Sequence, residues 1–78
     1  MKYTEYFQAM RQRPDRTIIR TEWILDVIRH PLREKTQKDG RIRRCAPIAE
    51  ADSKYLRVIL LPDGETVHNA FFDRSFRP

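Results

Sequence analysis

Tyr55-Leu56-Arg57-Val58-Ile59-Leu60-Leu61, then Pro62-Asp63-Gly64, then Glu65-Thr66-Val67-His68-Asn69-Ala70-Phe71-Phe72: this stretch decides the fold. Aliphatic, β-branched and aromatic side chains suit a pleated, half-buried surface, so both arms read as strands. Pro62 presets φ at the first corner of a turn, and Gly64 supplies the positive φ that closes it. An antiparallel hairpin is the expectation.

Two registers are open. A type I turn with a glycine bulge sets Leu61 opposite Glu65, Val58 opposite His68 and Arg57 opposite Asn69. Leu56, Val58, Leu60, Ala70 and Phe72 then share a face with His68. The other face carries Tyr55, Arg57, Ile59, Val67, Asn69 and Phe71. A two-residue Asp63-Gly64 turn instead sets Ile59 opposite His68 and brings His68 to the side of Arg57. One residue of slip turns a strand over relative to its partner. Proline at the first corner favours the type I turn.

Upstream, residues 32–38 and 41–48 read as a polar hairpin around Asp39-Gly40, a pairing typical of tight turns. Pro47 lacks a donor, so the second of these strands is expected at an edge or bulged there. Glu50-Ala51-Asp52-Ser53 is a polar loop, and 73–78 a charged tail. Before the strands come two helices. Residues 3–12 place Tyr3, Phe7 and Met10 on one helical face, and Arg13-Pro14-Asp15 breaks the run. Residues 21–30 form the second, with Thr21 as N-cap and Glu22 in the first turn. Ile24, Val27 and Ile28 make its inward stripe, flanked by Trp23 and Leu25. Pro31 ends it at His30.

The order α-α-β-β-β-β predicts an α+β fold, two N-terminal helices on one face of a four-stranded antiparallel sheet. A lone hairpin is marginal, so the two hairpins are expected to join. Both sheet faces carry apolar groups, which leaves an open patch for a partner protein or a second copy.

At 78 residues the chain is expected to be a single domain, 1–78. Its single Cys45 forms no internal disulfide and is expected to pack as a small hydrophobe in a cytoplasmic protein. One cysteine and two distant histidines offer no zinc spacing, and no metal or small-molecule cofactor is implied. No apolar run reaches the ~20 residues of a membrane span, and no signal-peptide core is visible. Lys and Arg number 16 against 11 Asp and Glu, a net charge of +5. Arginine dominates, and its planar fork grips phosphate at two points. RNA or another nucleic acid, or an acidic protein, is the partner class that follows.

Arg16, Ile19, the segment Glu22-Trp23-Ile24 to Pro31, Asp39-Gly40-Arg41-Ile42-Arg43, Tyr55-Leu56-Arg57-Val58 and the Asp63-Gly64 turn together resemble a family of short bacterial domains. That family is of unknown function and related to the BrnT and RelE-like toxins. The resemblance covers most of the chain through short, degenerate motifs. It implies a RelE-like α+β fold and, from characterised relatives, RNA cleavage held in check by an antitoxin. The last strand, His68-Asn69-Ala70-Phe71-Phe72-Asp73-Arg74, lies where some relatives place active-site residues. Tyr3, Tyr6 and Phe7 stand where relatives often carry a histidine.

Cleavage by 2′-OH attack needs groups to accept and donate a proton, and cations over the developing phosphorane charge. His68, with an ordinary pKa of about 6.5, suits proton transfer. Arg57 and Arg74 join it as candidate catalytic residues. Arg41, Arg43, Arg44 and Tyr55 are candidate RNA-binding residues, Tyr55 or Phe71 as a stacking platform. Asp73 and Arg74 read as a surface ion pair, His30 as a helix-end residue and Trp23 as a core anchor. Two function classes stand: a metal-independent endoribonuclease of a toxin–antitoxin pair, and a non-catalytic interaction module. The module would dock a partner, an antitoxin-like acidic protein or a homodimer, through Ile59, Val67 and Phe71.

Overall fold

The structure, a computed structural model, describes residues 1–77. Helices α1 (Glu5–Met10) and α2 (Thr21–Arg29) precede strands β1 (Arg33–Thr36), β2 (Ile42–Ile48), β3 (Lys54–Leu60) and β4 (Val67–Phe72). The strands form one antiparallel sheet in sequence order, with both helices packed on one face. The expected α+β architecture is present.

Helix α1 is shorter than the expected 3–12. Thr4 ends it by accepting the Phe7 N–H on Oγ1 (3.1 Å). Residues before the cap are drawn into the sheet instead. The Val67 N–H bonds the Lys2 carbonyl and the Thr4 N–H bonds the Val67 carbonyl, a parallel bridge along the β4 edge. Phe7 is accordingly buried while Tyr3 stays 46% exposed.

Thr21 is not the N-cap of α2. The cap position is Arg20, without a side-chain bond, and Thr21 Oγ1 accepts from Arg11 Nη2 (2.8 Å), tying the helices together. Ile24 and Val27 point into the core as expected. Trp23 is buried, set edge-on to Phe72, and donates its indole N–H to Glu50 Oε2 (3.3 Å).

In the first hairpin Gly40 takes φ +90°, and Asp39 Oδ1 accepts the Arg41 N–H. β1 covers β2 only from Ile42 to Cys45, so Pro47 sits where β2 is itself the sheet edge and no ladder bond is forfeited.

The register of the second hairpin follows the two-residue Asp63-Gly64 alternative next to the turn and departs from both alternatives beyond Leu60. The Gly64 N–H bonds the Leu61 carbonyl, and Gly64 has φ +72°, so the turn begins as foreseen. Asp63 Oδ1 then accepts the N–H groups of both Glu65 and Thr66 (2.9 Å each). This keeps Glu65 out of the ladder, and Leu61 bonds Thr66 instead. A β-bulge follows: Leu60 pairs with Val67 but Ile59 with Asn69, leaving His68 as the extra residue. The two single-residue slips add to an even number. The shared apolar face of Leu56, Val58, Leu60, Ala70 and Phe72 therefore survives, with Val58 now opposite Ala70. Relative to the type I register, Val67 and His68 exchange sides, and His68 takes the side that the Asp63-Gly64 turn gave it. Val67 is fully buried, and His68 joins Arg57.

Candidate nucleic-acid interface

Strand alternation sorts side chains into two sets. Ile42, Ala46, Ile48, Leu56, Val58, Leu60, Val67 and Ala70 face the helices and, with Phe7, Ile19, Trp23, Ile24 and Val27, make the core. The other face is uncovered by helix. By register it carries Arg33 and Lys35 on β1, Arg43 and Cys45 on β2, Tyr55, Arg57 and Ile59 on β3, and Asn69 and Phe71 on β4. One concavity on it is lined by Tyr6, Arg41, Arg43, Arg57, Ile59, His68 and Phe71.

His68 is fixed from two directions. Its Nδ1 lies 3.1 Å from Thr4 Oγ1, and the Tyr6 ring stacks on it at 4.8 Å and 21°. Burial lowers its pKa below the ordinary 6.5, Arg41 pushes the same way, and Asp39 opposes. The shift favours the neutral imidazole. Thr4 Oγ1 already accepts the Phe7 N–H. If its hydroxyl donates to Nδ1, Nε2 carries the ring proton; if it accepts from Nδ1–H, Nε2 is a free base.

The arginines differ in what holds them. Arg57 is ion-paired with Asp73: Nη2 lies 2.5 Å from Oδ2, an oxygen with no aligned hydrogen bond. A hydrogen bond from Ser75, aided by Arg57, holds the Asp73 carboxyl below its ordinary pKa. Arg41 pairs loosely with Asp39 (3.6 Å). Among the described residues Arg33, Lys35 and Arg43 have no carboxylate within ion-pair distance, so the β1–β2 side carries the unneutralised charge. Arg16 reaches the β4 edge from the loop before α2. It donates to Asn69 Oδ1 (2.8 Å) and the Ala70 carbonyl (3.2 Å), and lies 5.3 Å over the Phe71 ring.

The comparisons add no relative. No protein-family model, curated protein or solved structure matches this chain. The chemistry must be read from the geometry.

Of the expected site residues, the structure brings together His68, Arg57, Arg41 and Arg43, with Tyr55 next to Arg57 on the same face. It leaves out two. Arg44 points to the helix side, where Nε bonds Glu34 Oε2 (2.7 Å) and Nη1 the Ile28 carbonyl (3.1 Å). Arg44 thus closes the C-terminal end of α2 and lies apart from the His68 concavity. Arg74 is exposed in the turn after β4, bordering a separate concavity at the sheet end. Its expected partner Asp73 belongs to Arg57 instead. Among the described residues no His, Cys, Asp and Glu cluster could hold a metal ion, and no helix is long and apolar enough to cross a membrane.

The expected docking patch is also revised. Val67 lies in the core, and Ile59, though on the uncovered face, is only 8% exposed beneath its polar neighbours. Cys45 is buried there as well; burial pushes its thiol pKa up and Arg57 pulls partly back, so it is a poor nucleophile. Phe71, expected as a stacking platform, lines the His68 concavity, and Tyr6 and Arg33 are additions on the same face. Tyr6 comes from α1 and meets His68 at the bulge, whereas Arg33 comes from β1 and lines a second concavity with Arg43 and Arg57.

Proposed function

We propose that the uncovered sheet face binds single-stranded RNA. The observation that carries this is the division of the face. Cations without carboxylate partners among the described residues lie on β1 and β2, and aromatic rings and an imidazole on β3, β4 and Tyr6. Phosphates suit the first side by charge, and unstacked bases suit the second, because every base offers a π-face. His68 is the one group at the face suited to proton transfer, with Arg57 and Arg43 beside it to hold a phosphate. The sequence resemblance to BrnT and RelE-like toxins belongs to the same proposal. It adds cleavage of RNA and control by an acidic antitoxin.

The test is binding and cleavage of unstructured RNA by the purified protein across a salt series. Affinity falls with log salt, Arg43→Ala reduces the slope by about 0.7, and His68→Ala removes any cleavage while circular dichroism is unchanged. RNA left unbound at low salt by folded protein ends the proposal. RNA bound but never cut, with His68→Ala indistinguishable from wild type, reduces it to a binding module.

A further inference from the structure

The segment after β4 does not leave the sheet. The Asp73 N–H bonds the Tyr55 carbonyl, carrying the β3–β4 ladder one residue further. Asp73 Oδ1 accepts from both the Ser75 N–H (2.9 Å) and the Ser75 hydroxyl (2.6 Å), which turns the chain back. The Phe76 N–H reaches the Asp73 carbonyl, and the Phe76 ring then lies on Tyr55, 4.7 Å between centroids and tilted 39°. A carboxylate on Arg57 and a ring on Tyr55 are thus delivered by one short turn, on the face assigned above to RNA.

These two contacts have the chemistry of a nucleotide. A carboxylate on a guanidinium stands in for a phosphate oxygen, and a phenyl ring on a tyrosine stands in for a base. We infer that Tyr55 and Arg57 form a nucleotide subsite, a base platform and a phosphate anchor, which the Asp73–Phe76 turn occupies until RNA displaces it. This rests on the RNA-binding reading. Phe71 borders both the His68 concavity and the one beside Tyr55, so a strand lying on the first continues into the second without leaving the face. Displacement is local. The turn is held by the Arg57 pair, the Ser75 bonds and the Tyr55 contact, and it contributes no residue to the buried core.

Binding of a short labelled oligouridylate by wild type, Phe76→Ala and Asp73→Asn, with an NMR cross-peak between the Phe76 and Tyr55 rings followed during titration, tests this. Emptying the platform in Phe76→Ala tightens binding by roughly tenfold. Asp73→Asn frees Arg57 and steepens the salt dependence by about 0.7. The ring–ring cross-peak disappears at saturating RNA. Should Asp73→Asn lose its fold, Ser75→Ala loosens the same turn more gently and must also tighten binding. Wild type that binds RNA with the cross-peak intact, and variants that bind no better, overturn the subsite and leave the RNA reading standing. Wild type and variants that all fail to bind at low salt overturn the RNA reading and this inference with it.

Discussion

The helix-covered and the uncovered faces of the sheet use the same strands, residue by alternate residue, yet follow opposite rules. On the covered face the one arginine, Arg44, is fully engaged by Glu34 and the Ile28 carbonyl. Its cross-strand neighbour on β3, Val58, is fully buried, and Glu34 meets it from the exposed β1 side. On the uncovered face Arg33, Lys35 and Arg43 stand without carboxylates, and the buried groups, Ile59 and Cys45, are shielded by polar side chains and not by a second layer. A cation buried against a core must be paired, because desolvation penalises it otherwise. A cation left unpaired on an ordered face remains available for a ligand.

The largest break in this contrast is a core truncation. Leu56→Ala, beneath the helices, costs about 2–5 kcal/mol, a large share of the ~5–15 kcal/mol of a small domain. Ile59→Ala, its counterpart on the uncovered face, costs less, because long polar side chains close over the gap. Chemical denaturation of both variants checks this, and equal losses would erase the distinction between the faces.

Adjacent arginines sharpen it next. Arg44→Ala strands the Ile28 carbonyl and lowers stability by about 1–3 kcal/mol without changing RNA affinity. Arg43→Ala does the reverse, leaving stability within about 0.5 kcal/mol and weakening RNA binding. Paired denaturation and binding measurements on the two variants decide it. A loss of RNA affinity in Arg44→Ala would place the interface on the wrong side of the sheet.

A smaller effect comes from pH. His68 has a pKa in the folded chain below its ordinary 6.5, so the unfolded chain binds the proton more readily. Stability therefore rises with pH through this range and is lost as pH falls below about 6.5. His68→Gln flattens that part of the profile. A thermal-melting profile unchanged by the substitution would show that the imidazole is not desolvated.

The smallest lies in the turn outside both faces. Hydrogen bonds from the Thr66 hydroxyl, then from the Thr66 and Glu65 N–H groups, hold the exposed Asp63 carboxyl at about 2. Its contribution is present above the ordinary carboxylate range and is lost as pH falls from about 4 towards 2. Asp63→Asn removes that acid-range slope, read by melting at a series of pH values, and leaves the neutral-pH register intact.

Much of the architecture was legible in the chain. Alternation in 55–61, the Asp-Gly turns and the 3.6-residue stripe of Ile24 and Val27 are local signals, and each produced its element. The site was legible only in part. His68, Arg57, Arg41 and Arg43 could be named as residue types suited to RNA, but their assembly depends on a bulge. That bulge arises where β4 is bonded on its outer edge by Lys2 and Thr4, contacts more than sixty positions away in sequence. The side taken by Arg44 is hidden from the sequence for the same reason. It differs from Arg43 in nothing local, and only the side of the sheet to which it points separates a helix-end contact from an unpaired cation on the uncovered face.

By itself the sequence determined the helices, the strands, the two turns and the basic surplus, because these follow from neighbours within a few residues. Tertiary structure alone decided which face each cation took, that Val67 went inward and His68 outward, and that Asp73 met Arg57. Strand register sums every insertion between two paired residues, and a single added residue reverses the outcome for all that lie beyond it.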